Sequence, residues 1–264
     1  MKIEKQVRHS CAVAVLTVAA LCVGESSVFA AKGSAPDTPA PGGPNRYDRC
    51  LELVKHDAAG AYAQAQAWSG GGAAALHCQA LALVALKRYS EAAQKLEDAA
   101  AGEAKAAPPL RAELLDQAGN AWLLAGNAGK AENAFSSALS LQPKDEDVLA
   151  DRARARGVAR NWSGAFDDLT AVLAIDPDRA DVYVLRASAL HAEGHRKEAS
   201  ADLAHAFEIY PGYPEALVER GAMRLEAGDR AGARADWQQA ARDAPDSDAG
   251  QTARARLDRL SARK

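Results

Sequence analysis

Apolar residues recur along most of the chain three and four positions apart, the spacing of one helix face. The runs stop at regular intervals. ALSLQP, VLAIDP, AFEIYP and ARDAP close on Pro143, Pro177, Pro211 and Pro245, each 34 residues after the last. Proline lacks an amide donor and ends a helix. Midway through three of these units stand Gly126-Asn127, Gly194-His195 and Gly228-Asp229. Glycine takes the left-handed conformation that stops a helix, and Asn127 and Asp229 have side chains suited to capping the next. Arg160-Asn161 replaces the glycine in the fourth unit, which predicts a more strained or differently shaped turn there. The pattern therefore predicts an all-α fold of antiparallel helix pairs, four of them between residues 110 and 245.

In the unit ending at Pro143, Leu115, Ala118-Gly119 and Trp122 are followed by Ala131, Phe135 and Ala138. Residue types and spacing together resemble the tetratricopeptide repeat. The later units match more loosely, through Ala165, Ala199 and Ala233, through Leu169, Leu203 and Trp237, and through the small residues Ala153, Ala187 and Gly221. The resemblance implies a right-handed superhelical solenoid, with first helices lining a concave groove and second helices outside.

The register loosens upstream. RYSEAA (88–93) reads as the start of a second helix, with Ala92 in the alanine position but farther from Ala131 than one period allows. The excess falls in AGEAKAAPP, read as a connection, so residues 46–109 form degenerate N-terminal repeats. SGGG (69–72) lacks the Lys-Ser/Thr of a phosphate loop and separates two helix pairs. Residues 246–264 predict a capping helix, with Ala253, Leu257 and Leu260 on one face to cover the last repeat. The alternative, a basic anchor using Arg254, Arg256 and Arg263, has little apolar face behind it.

Residues 1–30 have the layout of a secretory signal peptide. Lys2, Lys5 and Arg8 precede the apolar run CAVAVLTVAALCV, and Val28 and Ala30 frame a cleavage site after Ala30. The run has about 13 residues, short of the roughly 20 that span a bilayer, so membrane association is expected only if the signal stays uncleaved. Pro- and Gly-rich residues 31–45 read as a linker. Removal of the signal leaves Cys50 and Cys78 as the only cysteines. Two thiols in an exported chain point to a disulfide worth roughly 3–4 kcal/mol. Free thiols, or a metal site with His56 and His77, are the alternatives, although the spacing fits no zinc pattern. The expected location is periplasmic or secreted.

Composition narrows the function. The 32 basic and 35 acidic residues give a net charge of -3, which argues against nucleic acid as partner. No catalytic or cofactor motif occurs, so neither an enzyme nor a cofactor is expected. Arg152, Arg186 and Arg220 recur with Asp168, Asp202 and Asp236 sixteen residues later, while the preceding unit has Ala118 and Ala134. This co-occurrence predicts structural Arg–Asp bridges, within a repeat or between neighbours. Acidic residues recur at the second position of each unit: Glu113, Asp147, Asp181 and Glu215. The helix dipole accounts for them near helix starts. His191 and His195 are four apart and could share a helix face, but they lack further ligands at metal spacing and His195 falls at an expected turn, so they read as surface histidines.

The repeat resemblance places positions 2, 5, 9, 12 and 13 on the groove. Here these include Asp116, Asn120, Leu123 and Leu124; Arg154 and Val158; Val184, Ser188 and His191; and Val218, Leu225 and Glu226. This mixed face implies a protein or peptide partner, an extended segment or a helix with apolar anchors. A subunit of an envelope assembly docking through the convex face or the ends is the alternative, as is a non-catalytic regulator of a hydrolase.

Overall fold

A computed structural model describes residues 45–102 and 108–262. The predicted signal peptide (1–30) and all of the predicted linker except Asn45 lie outside the described residues. The described residues form thirteen helices: α1 (Arg46–His56), α2 (Ala58–Gln66), α3 (Gly72–Ala85), α4 (Tyr89–Gly102), α5 (Pro108–Leu124), α6 (Ala128–Leu141), α7 (Glu146–Val158), α8 (Trp162–Ile175), α9 (Ala180–Ala192), α10 (Arg196–Ile209), α11 (Pro214–Glu226), α12 (Arg230–Asp243) and α13 (Asp248–Ala262). No strand occurs among the described residues. The fold is an all-α solenoid of helix pairs packed consecutively. It forms two compact units, one up to Ala155 and one from Arg156, divided within α7.

From α3 onward each first helix ends in the same turn. The Asn127 amide donates to Trp122 O and the Gly126 amide to Leu123 O, the two bonds of a Schellman motif. The same pair closes the turns at Arg160, Gly194 and Gly228, one repeat after another, and at Lys87 upstream. The motif requires a positive φ. Gly126, Gly194 and Gly228 adopt it at 75°, 86° and 87°, and Arg160 and Lys87 are held at 60° and 59°. The side chains of Asn127, Asn161 and Asp229 then cap the second helices, accepting from the amides of Lys130, Gly164 and Gly232. His195 makes no such cap. At the other end, Gln142, Asp176, Tyr210 and Ala244 leave the helical region just before the four repeating prolines.

One boundary differs from the sequence reading. Pro108 and Pro109 open α5 rather than ending a connection. Proline suits a first helical turn, whose amides have no intrahelical acceptor. Pro109 thus starts a helix whereas Pro143 follows one, although Pro109 falls on the same period.

The core is built from small residues. Ala131, Ala199 and Ala233 are fully buried, Ala165 nearly so, and Ala92 upstream is fully buried too. Beside them, Phe135, Leu169, Leu203 and Trp237 fill the interior, each sixteen residues after Gly119, Ala153, Ala187 or Gly221. Aromatic rings occur where the partner position is glycine, and leucines where it is alanine. At the N-terminal end, Cys50 and Cys78 join α1 to α3 in a cluster with Ala61, Ala65 and Ala82, their Cα atoms 6.3 Å apart, a span that a disulfide bridges. At the other end, α13 buries Ala249, Ala253 and Leu260 against Leu217, Trp237 and Ala240. No helix among the described residues is long and apolar enough to cross a membrane.

Candidate functional site

Repeats counted from Ala112, Glu146, Ala180 and Pro214 bring the first-helix residues into register. Within each compact unit, the faces so formed are polar and cross-linked. In the first unit Asn120 Nδ2 donates to Asp151 Oδ2 at 2.9 Å and to Asp116 O at 3.3 Å. Asp151 also receives the guanidinium of Arg154. On the preceding repeat, the Tyr47 hydroxyl donates to His77 Nδ1 at 2.5 Å, and His77 Nε2 donates to Gln117 Oε1 at 2.6 Å. These two bonds suit a neutral imidazole with its proton on Nε2, and burial holds the His77 pKa below its ordinary value. Gln117 Nε2 continues the chain to Glu113. Burial raises the pKa of Glu113.

In the second unit, Arg179 clasps Asp181 through two bonds of 2.9 and 2.8 Å, both residues buried. His191 lies between Glu219 at 3.1 Å and Glu226 at 3.0 Å, and these carboxylates raise its pKa, Glu219 most. Burial raises the pKa of Glu215, with smaller contributions from Asp181 and Asp248.

Several residues read as groove-lining are thus brought together: Asp116, Asn120 and Arg154 on α5 and α7, His191 and Glu226 on α9 and α11. Leu123, Leu124, Ser188 and Leu225 are half-buried, Leu225 against the cluster around Trp237, and Val158 is 59 % exposed. Val184 and Val218 are corrections. Val184 is fully enclosed with Leu190, Leu203 and Tyr213, and Val218 packs against Trp237, so neither side chain is open to a ligand. Position 5 faces inward in all four repeats: Ala150 there is fully buried too, and Oδ1 of Asp116 is sealed from solvent. Position 6, not among the expected groove positions, supplies Gln117, Asp151 and Glu219, and polar residues there in three of the four units were a usable signal.

The arginine–aspartate residues do structural work. Arg186 holds Asp202 through Nε and Nη2 at 2.8 and 2.7 Å and reaches Thr170 of the preceding repeat at 3.3 Å. Arg220 holds Asp236 in the same two-pronged way at 3.1 and 2.8 Å. Asp168 receives Arg156 Nη1 at 2.9 Å, and Arg152 donates to Ser136 of the preceding repeat at 3.2 Å. A second arginine, at position 11, is not marked by the sixteen-residue recurrence: Arg156 and Arg224 each precede the aspartate they bind by twelve residues. Among the described residues no group of three or more His, Cys, Asp or Glu side chains is placed to hold a metal ion.

No family model matches the sequence, and no curated protein does. Solved structures match over most of the described chain. MamA from Desulfovibrio magneticus RS-1 superposes with a TM-score of 0.57 at 19 % identity, covering 69 % of this chain and 99 % of that one. TTC0263, a thermophilic TPR protein of Thermus thermophilus, gives 0.57 at 20 % identity, covering 71 % and 97 %. YrrB, described as a TPR protein with an unusual peptide-binding site, gives 0.50 at 18 % identity, covering 80 % and 98 %.

Proposed function

We propose that this tetratricopeptide-type solenoid is an exported, non-enzymatic scaffold that binds a protein or peptide along the faces of its first helices. One observation carries the reading. Polar side chains on those faces are fixed to one another from helix to helix, as Asn120 is to Asp151 and His191 to Glu219. Side chains already ordered lose little entropy when a partner docks. Half-buried Leu123, Leu124 and Leu225 offer apolar anchors beside them. The signal-like N-terminus supports export to a periplasm or beyond, and the nearness of Cys50 to Cys78 supports an oxidised pair there.

A photo-crosslinking residue placed at Leu124 or Val158, in the native host, tests the groove. Capture of one dominant protein supports it. Capture only from Ile175 or Tyr210, exposed at the ends of second helices, would instead make the chain a part of an assembly that docks by its outer side. Mass measurement of the exported chain after alkylation tests the rest. A start at Ala31 and two unmodified cysteines are expected; two alkylated cysteines would remove the disulfide.

A further inference from the structure

The charged groups on the first-helix faces differ in one respect. In the second unit Asp181 has Arg179 as its cation, and Glu219 has His191. In the first unit Asp116 has none. Its Oδ1 is sealed from solvent and accepts no hydrogen bond. The charges around it are of its own sign: Asp151 foremost, then Asp145, Asp147 and Glu113. Arg154, the cation beside this cluster, is engaged by Asp151. Desolvation and these neighbours both raise the Asp116 pKa. A carboxylate enclosed without a counter-charge is costly, and proteins rarely keep one without a use.

The residue as a whole is nonetheless only half-buried, so part of it lies at the face that α5 and α7 share. Asn120 and Arg154 hold Asp151 in place beside it. Two carboxylates, one fixed and one unsatisfied, make a receptor for a group that carries positive charge and several donors. A guanidinium or ammonium has both. A metal ion is a poorer fit, because these side chains are not grouped at ligating geometry.

We propose that Asp116 and Asp151 form a subsite for a lysine or arginine side chain of the partner segment, so that the groove selects a basic sequence. This rests on the groove reading above. Charge complementarity of this kind sets partner choice and register.

The test uses the purified protein and three blocked pentapeptides, alanine with a central arginine, glutamine or glutamate. Amide shifts of Asp116, Asn120 and Asp151 are followed by NMR. The arginine peptide is expected to bind roughly tenfold or more tightly than the glutamine peptide, with the glutamate peptide weakest. Asp116→Asn should abolish that preference while the protein unfolds at higher urea, since a buried like charge has gone. Glu208→Gln, on an exposed outer position, should change neither. Equal binding of the three peptides by the wild type overturns the proposal, and needs no variant to fold. So does an arginine preference that survives Asp116→Asn. Shifts at Asp116 that depend on protein concentration alone would assign the subsite to a second copy and also overturn it. The two readings fail separately. If Leu124 still captures a partner while the peptides show no preference, the subsite falls and the groove stands. If wild-type Leu124 captures nothing, the groove reading falls.

Discussion

A Cβ built on Gly119 would stand 2.5 Å from Cε1 of Phe135, far inside van der Waals contact. The hydrogen at this position is what lets the ring pack against α5. The same fit recurs at Gly221, where a Cβ would meet Trp237 Nε1 at 2.4 Å. Gly119→Ala should therefore destabilise the protein by about 1–3 kcal/mol through overpacking, less the ~1 kcal/mol that alanine gains in helix propensity. Adding Phe135→Leu recreates the alanine–leucine combination of Ala153 with Leu169 and Ala187 with Leu203. A double-mutant cycle in urea should then show a favourable coupling of about 1 kcal/mol. Additive losses would mean that the ring does not rely on the glycine.

The bridge between Arg186 and Asp202 has a different character, because Asp202 is buried at 5 % exposure while its partner reaches water. Arg186→Ala strands that carboxylate and also frees Thr170, so it should cost about 2–4 kcal/mol. Asp202→Asn, which keeps an acceptor, should cost less. The pair should couple by more than about 1 kcal/mol in a cycle. A value near zero would reduce the recurring arginines to surface charges.

Arg160 predicts the opposite sign. Its backbone sits at φ 60° in a turn where three sister repeats use glycine. A left-handed non-glycine residue costs ~1–2 kcal/mol, and glycine loses roughly 0.4–1 kcal/mol through the freer unfolded chain. Arg160→Gly should thus raise stability by about 0.5–1 kcal/mol, and Lys87→Gly by a similar amount. Thermal unfolding of each variant measures this; a loss would show that the arginine side chain contributes more than its backbone costs.

These three cases show what the sequence made legible. The regular spacing of Pro143, Pro177, Pro211 and Pro245, the turn glycines and the arginine–aspartate recurrence are local or periodic, so they survive in a linear string. The turn at Arg160 could be placed because its neighbours repeat. What stayed hidden depends on which way a side chain faces across a helix interface. Val184 falls on the groove by its place in the repeat, yet that position faces the core. Asp151 and Glu219 take their importance from the preceding first helix, where Asn120 and His191 bond to them. The Tyr47–His77–Gln117 chain joins residues far apart in sequence and follows no period at all.

His191 gives the protein one pH-dependent contribution. Glu219 and Glu226 raise its pKa above the ordinary ~6.5, so the folded protein holds this proton more tightly than the unfolded chain. The stability it adds is fully present below about pH 6.5 and is lost as pH rises through the raised value. Glu219→Gln removes the first of the two causes. The variant should lose stability relative to wild type mainly at low pH, with the two curves converging as pH rises through the raised value. A pH-independent difference would show that the histidine is not charged in the fold.

His77 works in the other direction. It is buried at 6 % exposure, and its two ring nitrogens are engaged by Tyr47 and Gln117 in a way that suits the neutral ring. Its pKa lies below ~6.5, so the unfolded chain binds the proton first as pH falls. The stability tied to the neutral form is therefore present above about pH 6.5 and is lost as pH drops through the depressed value, by at most about 1.4 kcal/mol per pH unit. Protonation would also turn Nδ1 into a donor facing the Tyr47 hydroxyl. That hydroxyl would have to rotate, and the link from α1 through α3 to α5 would loosen. Urea midpoints at about pH 5 and about pH 7.5 separate this from His191, because the two histidines slope oppositely. His77→Gln should lower stability at the higher pH by about 1–2 kcal/mol, through one lost hydrogen bond in a buried place, and by clearly less at the lower pH. An equal loss at both would mean that the imidazole keeps the same charge throughout.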